Sequence, residues 1–302
     1  MVAVLWWSLM LPIYEAPAKV NLHLAITDIR DDGYHTLDTS FVYVDVGDRL
    51  HITLAETLQV VCSQTDLSGK SNLVYQVLLA FKARYHVQQG LSVYIDKLLP
   101  SQAGLGGGSS DAATALWVAN HLWGVGCTQA ELIEFAAPFG ADIPCFLFGQ
   151  ASSATGIGEY LQPYTRDIPS QNIVIAWPGV GVSTVSAFHH FDQNRFHALT
   201  EEKSAAKVRA RSGAGGFDLG YNDLEQSAVA LCSPLAAMLE SMRAQSERAW
   251  MSGSGSACIA ICHSSQEAHD LAVNLQENGL ATWVHIGYLS QTHPLRENRI
   301  GA

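Results

Sequence analysis

Pro100-Ser101-Gln102-Ala103-Gly104-Leu105-Gly106-Gly107-Gly108-Ser109-Ser110-Asp111 is the stretch on which the reading of this chain turns. Its four glycines within five positions let the backbone turn N–H groups inward and come close to a ligand. The Ala- and Leu-rich run from Ala112 to Leu122 predicts a helix directly behind them. Such a helix adds its unpaired N-terminal donors and the positive end of its dipole. Ser109 and Ser110 place two hydroxyls at the junction, where they can donate to a phosphate or help place a metal ion. Together these parts make an anion site suited to phosphate. Two other phosphate patterns fail here. A dinucleotide fingerprint needs glycine where Ser109 stands, and a Walker A loop ending at Gly69-Lys70-Ser71 would need glycine at Gln64.

Upstream of the glycines, Val20 to Ile26 alternates as a strand, with Asn21 and His23 on one face and Val20, Leu22 and Leu24 on the other. Asp31-Asp32-Gly33 marks a turn, and Phe41–Val46, Leu50–Leu54 and Leu91–Ile95 read as three further strands. Ser71-Asn72 is placed to cap a helix from Leu73 to about Tyr85. Thr128 and Glu131 have capping-box spacing for a helix that stops near Pro138. Downstream, Ile173–Trp177 is strand-like, and the polar, glycine-rich residues 201–216 read as a mobile connection. Asn222-Asp223-Leu224-Glu225 starts a helix, and residues 258–286 form a strand–helix–strand unit. Mixed elements without a regular βαβ rhythm predict an α+β fold in two domains, residues 1–165 and 166–302.

Composition narrows the function. Of 302 residues, 48% are hydrophobic and 15% charged, which suits a large core and excludes a disordered chain. The net charge of -11 argues against a nucleic-acid partner, which needs a basic face, but leaves room for a nucleotide held locally by backbone N–H groups. Six scattered cysteines without C-x-x-C spacing fit a reducing cytosol. The apolar start, Val2 to Ile13, has no preceding Lys or Arg and is too short to span a bilayer, so the expected location is cytoplasmic, with no membrane partner.

Two isolated residues gain meaning beside a phosphate site. Lys19, in Pro17-Ala18-Lys19-Val20-Asn21, would alone be an ordinary exposed lysine, and Asp142, in Gly140-Ala141-Asp142-Ile143-Pro144, a turn-capping aspartate. In phosphoryl transfer an Asp can accept the proton of the attacking hydroxyl and a Lys can neutralise charge on the moving phosphate. Ser252-Gly253-Ser254-Gly255-Ser256, otherwise a plain turn, then becomes a second loop that could close over the phosphates or support the first loop.

These three segments, in this order, resemble the motifs of the GHMP kinase superfamily, and the resemblance spans nearly the whole chain. Asp32-Gly33-Tyr34-His35-Thr36-Leu37, Gly140-Ala141-Asp142-Ile143-Pro144 and Asn222-Asp223-Leu224-Glu225 are similar to the branch whose substrate is 4-diphosphocytidyl-2-C-methyl-D-erythritol. The resemblance implies an N-terminal domain like the second domain of ribosomal protein S5, a ferredoxin-like C-terminal domain, and ATP-dependent phosphorylation of that substrate's 2-hydroxyl in non-mevalonate isoprenoid precursor synthesis. It further implies Asp142 as general base, Lys19 as its electrostatic partner, and Asn21, Tyr34, His35, Thr184 and Phe188 as substrate residues, with Tyr34 and Phe188 sandwiching the cytosine and His35 hydrogen-bonded to it. Asn72 and Lys97 would flank the adenosine of ATP, while Gly104, Leu105, Gly106, Gly107, Gly108, Ser109 and Ser110 hold its phosphates. Mg2+ is expected with ATP, with no clear carboxylate ligand and only Ser109 or Ser110 as candidates. The expected state is a monomer or weak homodimer. Ser101-Gln102 replaces a Met-Gly common in the family, which alters how the chain enters the glycine loop, and Val185 replaces a proline common after the pocket threonine.

Overall fold

The structure is a computed structural model that describes residues 12–198 and 219–297. Most of the apolar start and all of residues 201–216 lie outside the described residues. Two sheets divide the chain. The first contains seven strands: β1 (Ile13–Ile29), β2 (His35–Ala55), β3 (Gln59–Cys62), β4 (Gly90–Asp96), β5 (Ser152–Gly156), β6 (Tyr160–Pro163) and the late β11 (Leu289–Ser290). Against it pack α1 (Leu73–Arg84), α2 (Gly107–Leu122), α3 (Gln129–Ala136) and α4 (Ile143–Phe148). The second sheet, in order β10-β7-β9-β8, contains β7 (Asn172–Trp177), β8 (Arg248–Met251), β9 (Cys258–Cys262) and β10 (Trp283–Gly287). Its helices are α5 (Thr184–Ala198), α6 (Glu225–Leu231), α7 (Ser233–Gln245) and α8 (Ser265–Glu277).

Numbered along the second sheet, the strands lie in the order 4-1-3-2, all antiparallel, which is the ferredoxin-like arrangement. Strand periodicity explains how the two sheets join. Val174 and Ala176 of β7 face the helices, whereas Ile173 and Ile175 face the other way and pack with Val20, Leu22, Val42 and Trp250 between the sheets. The apolar face of β1 is thus covered by the second sheet. Its other face carries Lys19, Asn21 and His23, which are also buried.

Local expectations fare well where the signal is local. Asn72 caps α1, accepting from the Val74 N–H at 2.8 Å, and Val74, Val77, Leu78 and Phe81 form its buried stripe. Both halves of the Thr128/Glu131 capping box are present, and α3 ends in a 3-10 turn, Ala137–Phe139. Two expectations need correction. Phe41–Val46 and Leu50–Leu54 are one continuous strand, because Gly47 stays extended and lies so close to Ala16 that no side chain would fit. The helix expected from Ala112 begins at Gly107, so half of the glycine cluster is helix.

The final segment returns to the first sheet. Leu289 and Ser290 pair with β2, and His293 donates its N–H to the Gly149 carbonyl at 3.1 Å. The His293 ring is buried edge-on to Tyr43 and Trp117, and burial lowers its pKa to about 3, so it packs as a neutral ring.

Candidate active site

A cleft of about 1310 Å³ runs along the junction of the two sheets. Its phosphate-suited end is built from the backbone. Gly106, in the left-handed region at φ 71°, precedes α2, and the Ser110 N–H donates to the Gly106 carbonyl at 2.9 Å. The N–H groups of Gly107, Gly108 and Ser109 lie before that first intrahelical bond, so helix geometry leaves them without a helical partner. Ser109 lines the cleft. The Ser110 side chain is fully buried and, among the described residues, has no hydrogen-bond partner, so Ser109 is the better placed of the two candidate hydroxyls.

The two glycine loops touch backbone to backbone. A Cβ at Gly104, itself at φ 80°, would collide with the Ser252 carbonyl. Ser252 Oγ donates to the Gly104 carbonyl at 3.1 Å, and the Ala257 N–H donates to the Ala103 carbonyl at 2.8 Å. Asn222 secures the second loop from behind, donating to the carbonyls of Met251 (2.9 Å) and Gly253 (2.8 Å). The Asn222 motif, expected as a helix start and as part of the family resemblance, is also the anchor of this loop. At the approach to the first loop, Gln102 adopts a left-handed φ of 55°. A glycine would hold that conformation without strain, which gives physical content to the Gln102 departure noted in the sequence.

Lys19 and Asp142 meet at the centre of the cleft. Lys19 Nζ lies 3.5 Å from Asp142 Oδ2 and donates to Asn21 Oδ1 at 2.8 Å. The lysine side chain is 4% exposed and the aspartate 37%. Asp142 occupies the position before α4, yet its carboxylate caps nothing, so it remains available to the cleft. Asn21 is fixed in turn: its Nδ2 donates to Thr39 Oγ1 at 2.8 Å, and its carbonyl accepts from the Trp250 indole at 2.8 Å. The arrangement places a partly exposed carboxylate and a buried ammonium beside a helix N-terminus, as proton abstraction and phosphate neutralisation require.

Behind the glycine loop lies a cluster that the sequence did not announce. The Lys97 ammonium is held by Asp48 and, at 2.7 Å, by Asp111. Asp48 Oδ1 also accepts the Leu98 and Leu99 N–H groups at 2.7 and 2.8 Å. Lys97 lines the cleft, but its charge is directed into this cluster, 3.1 Å from where a Gly107 Cβ would stand. Burial raises the Asp111 pKa to about 7; Lys97 opposes the shift and Asp48 reinforces it. Asn72 also lines the cleft while it caps α1.

At the far end, Tyr34, His35, Thr184 and Phe188 share the cleft wall. Tyr34 is 62% exposed, and Phe188 packs on His35 with ring centroids 4.6 Å apart and planes tilted by 30°. Thr184 Oγ1 and Ser254 Oγ are hydrogen-bonded at 2.8 Å, which ties the start of α5 to the second glycine loop. The sequence reading missed Asp192, which meets His35 here. An i, i+4 spacing from Phe188 was the only available signal.

For Mg2+, the described residues contain no cluster of three or more His, Cys, Asp or Glu able to hold an ion. One hydroxyl, Ser109, and one carboxylate, Asp142, in the same cleft fit an ion that arrives on phosphates and keeps most of its water.

Comparison with known proteins bears on family and fold. The family models for the GHMP kinases N terminal domain and the GHMP kinases C terminal match residues 72–150 and 198–280. The 4-diphosphocytidyl-2-C-methyl-D-erythritol kinase of Desulfitobacterium hafniense (strain Y51) is 39% identical over 275 residues, covering 89% of this chain and 93% of that protein. The enzyme of the same name from Cupriavidus taiwanensis is 40% identical, over 81% and 82% of the two chains. A crystal structure of a 4-(cytidine 5'-diphospho)-2C-methyl-D-erythritol kinase superposes with a TM-score of 0.75 at 30% identity, covering 92% of this chain and 99% of that one. The L. major mevalonate kinase shares the fold, with a TM-score of 0.65 at 16% identity. With its motifs, both domains and its relatives in agreement, the chain belongs to the 4-diphosphocytidyl-2-C-methyl-D-erythritol kinases of the GHMP kinase superfamily.

Proposed function

We propose that this chain transfers the γ-phosphoryl group of ATP to the 2-hydroxyl of 4-diphosphocytidyl-2-C-methyl-D-erythritol, in non-mevalonate isoprenoid precursor synthesis. The observation that carries the reading is the Lys19–Asp142 pair, 3.5 Å apart beside the N-terminus of α2. Asp142 accepts the proton of the 2-hydroxyl as that oxygen bonds to the γ-phosphorus. The bond to the β–γ bridging oxygen breaks, and ADP leaves. Lys19, fixed by Asn21, and the N–H groups of Gly107, Gly108 and Ser109 balance the charge that spreads over the transferring group. Mg2+ would be held mainly by the β- and γ-phosphates with Ser109 beside it, and would neutralise phosphate charge. Tyr34 and Phe188 receive the cytosine ring, with His35 hydrogen-bonded to it and Thr184 in the same pocket; Asn72 and Lys97 border the adenosine.

The expected setting is the cytoplasm, as a monomer or weak homodimer, with the domain boundary near residue 165, in the link between β6 and β7. Coupled ADP release with ATP, Mg2+ and the cytidyl substrate tests the function, with mevalonate and homoserine run in parallel. Asp142→Ala should lower kcat by about 10²–10⁴-fold while ATP still binds. Near-normal turnover in that variant removes Asp142 as the base, and turnover only on another alcohol removes the cytosine pocket.

A further inference from the structure

The base end of the cleft contains a histidine–carboxylate hydrogen bond that phosphoryl transfer does not require. His35 opens β2 with its side chain only 9% exposed, packed on Phe188 with the planes tilted by 30° and edge-on to Phe191 at 6.3 Å. Its Nε2 lies 2.7 Å from Asp192 Oδ1. Phe188 and Asp192 are four residues apart on α5, so a single helix face grips the imidazole both on its plane and at its edge. An ionised carboxylate can only accept a hydrogen bond, so Nε2 carries the proton and donates it to Asp192. In the neutral ring Nδ1 is then the acceptor, because the bond made by one ring nitrogen sets the state of the other. Among the described residues no hydrogen bond engages Nδ1, and the ring lines the cleft.

We propose that Asp192 is a positioning residue for base recognition, holding the His35 ring so that Nδ1 offers a lone pair to the exocyclic amino group of cytosine, and so favours cytidyl over uridyl substrates. This rests on the cytidyl reading given above. Cytosine carries an amino donor at the position where uracil carries a carbonyl acceptor, so the same lone pair that attracts the first repels the second. His35 without Asp192 could take either tautomer and turn about its side-chain bonds, and the choice between the bases would weaken.

The test uses the full chain at saturating ATP, with the cytidyl substrate and its uridyl counterpart as alternative acceptors. Asp192→Ala should raise KM for the cytidyl substrate about tenfold or more, leave kcat within about threefold, and reduce the cytidyl-over-uridyl preference by a similar factor. Asp192→Asn keeps an oxygen that can accept from Nε2–H, so it should recover most of both effects. Melting temperatures measured beside the kinetics identify a purely structural tie between α5 and β2. A lower melting temperature with unchanged preference overturns the proposal. Equal losses on both substrates, or an Asn variant no better than Ala, do so as well. A wild-type protein that turns over neither substrate overturns the function itself and the inference with it, whereas wild-type turnover with an indifferent Asp192→Ala overturns the inference alone.

Discussion

The two ends of the cleft are built by different means. At the end suited to phosphate the proposed binding groups are main-chain N–H groups, exposed by glycines at 104, 106 and 107 and aimed by the start of α2. At the proposed base end they are side chains from β2, the residue before it and α5, and the His35–Asp192 contact joins residues 157 positions apart. Backbone recognition requires glycine wherever a Cβ would collide or φ must be positive, so it leaves a visible mark in the sequence. Side-chain recognition uses ordinary His, Phe and Asp residues, whose meaning depends on what the fold brings beside them.

If that contrast is sound, damage to one end should spare the other. Gly104→Ala offers the largest effect: it places a Cβ against the Ser252 carbonyl at a residue held at φ 80°, so the two glycine loops must separate. We expect KM for ATP to rise by more than about tenfold, with about 2–3 kcal/mol lost from stability. Calorimetric binding of a cytidine nucleotide should remain close to wild type. A parallel loss at both ends would show that the loops also shape the base pocket, and the contrast would fail.

The ion cluster behind the glycine loop sharpens the comparison through pH. Burial raises the Asp111 pKa from 3.8 to about 7 in the folded protein, so between about pH 4 and 7 the folded state binds a proton that the unfolded state has lost. Stability should therefore fall as pH rises through that window, by on the order of 1–3 kcal/mol. Asp111→Asn should flatten the dependence, leaving Lys97 paired with Asp48 alone. Denaturant melts at pH 5 and pH 8 measure the difference, and a pH slope that persists in the variant would exclude Asp111 as its source.

The smallest effect belongs to Gln102. Its left-handed φ of 55° costs about 1 kcal/mol in a non-glycine residue. Gln102→Gly removes that strain but frees the unfolded chain, so the net change should stay within about 1 kcal/mol and leave KM for ATP unchanged. A several-fold change in KM would show that the Gln102 side chain itself takes part at the phosphate end.

Much of the fold was legible where signals were short in range. The caps at Asn72 and Thr128 and the strand–helix–strand unit ending at β10 came from residues within one turn or one pleat of each other. Misreadings arose where packing overruled such signals. Phe41–Val46 and Leu50–Leu54 read as two strands, but the close approach of Gly47 to Ala16 keeps β2 continuous. The glycines at 107 and 108 looked like loop, yet the Ser110 N–H to Gly106 carbonyl bond begins the helix beneath them. Asp48 was not singled out at all. It is an ordinary acidic residue until β2 carries it to within reach of Lys97.

By itself the sequence determined the chemistry at the phosphate end: a glycine cluster, a helix start, one lysine and one aspartate, in an order shared with a kinase family. Those features are local, and each residue type is close to obligatory for its task. Only the tertiary structure decided that Lys19 and Asp142 stand 3.5 Å apart, that Asn222 anchors the second loop, that Lys97 turns into a buried ion cluster, and that Asp192 grips His35. Each contact joins residues separated in the chain, and each exists because strands, helices and loops pack together: Lys19–Asp142 and the Lys97 cluster within the first-sheet unit, Asn222 within the second, and His35–Asp192 across the two.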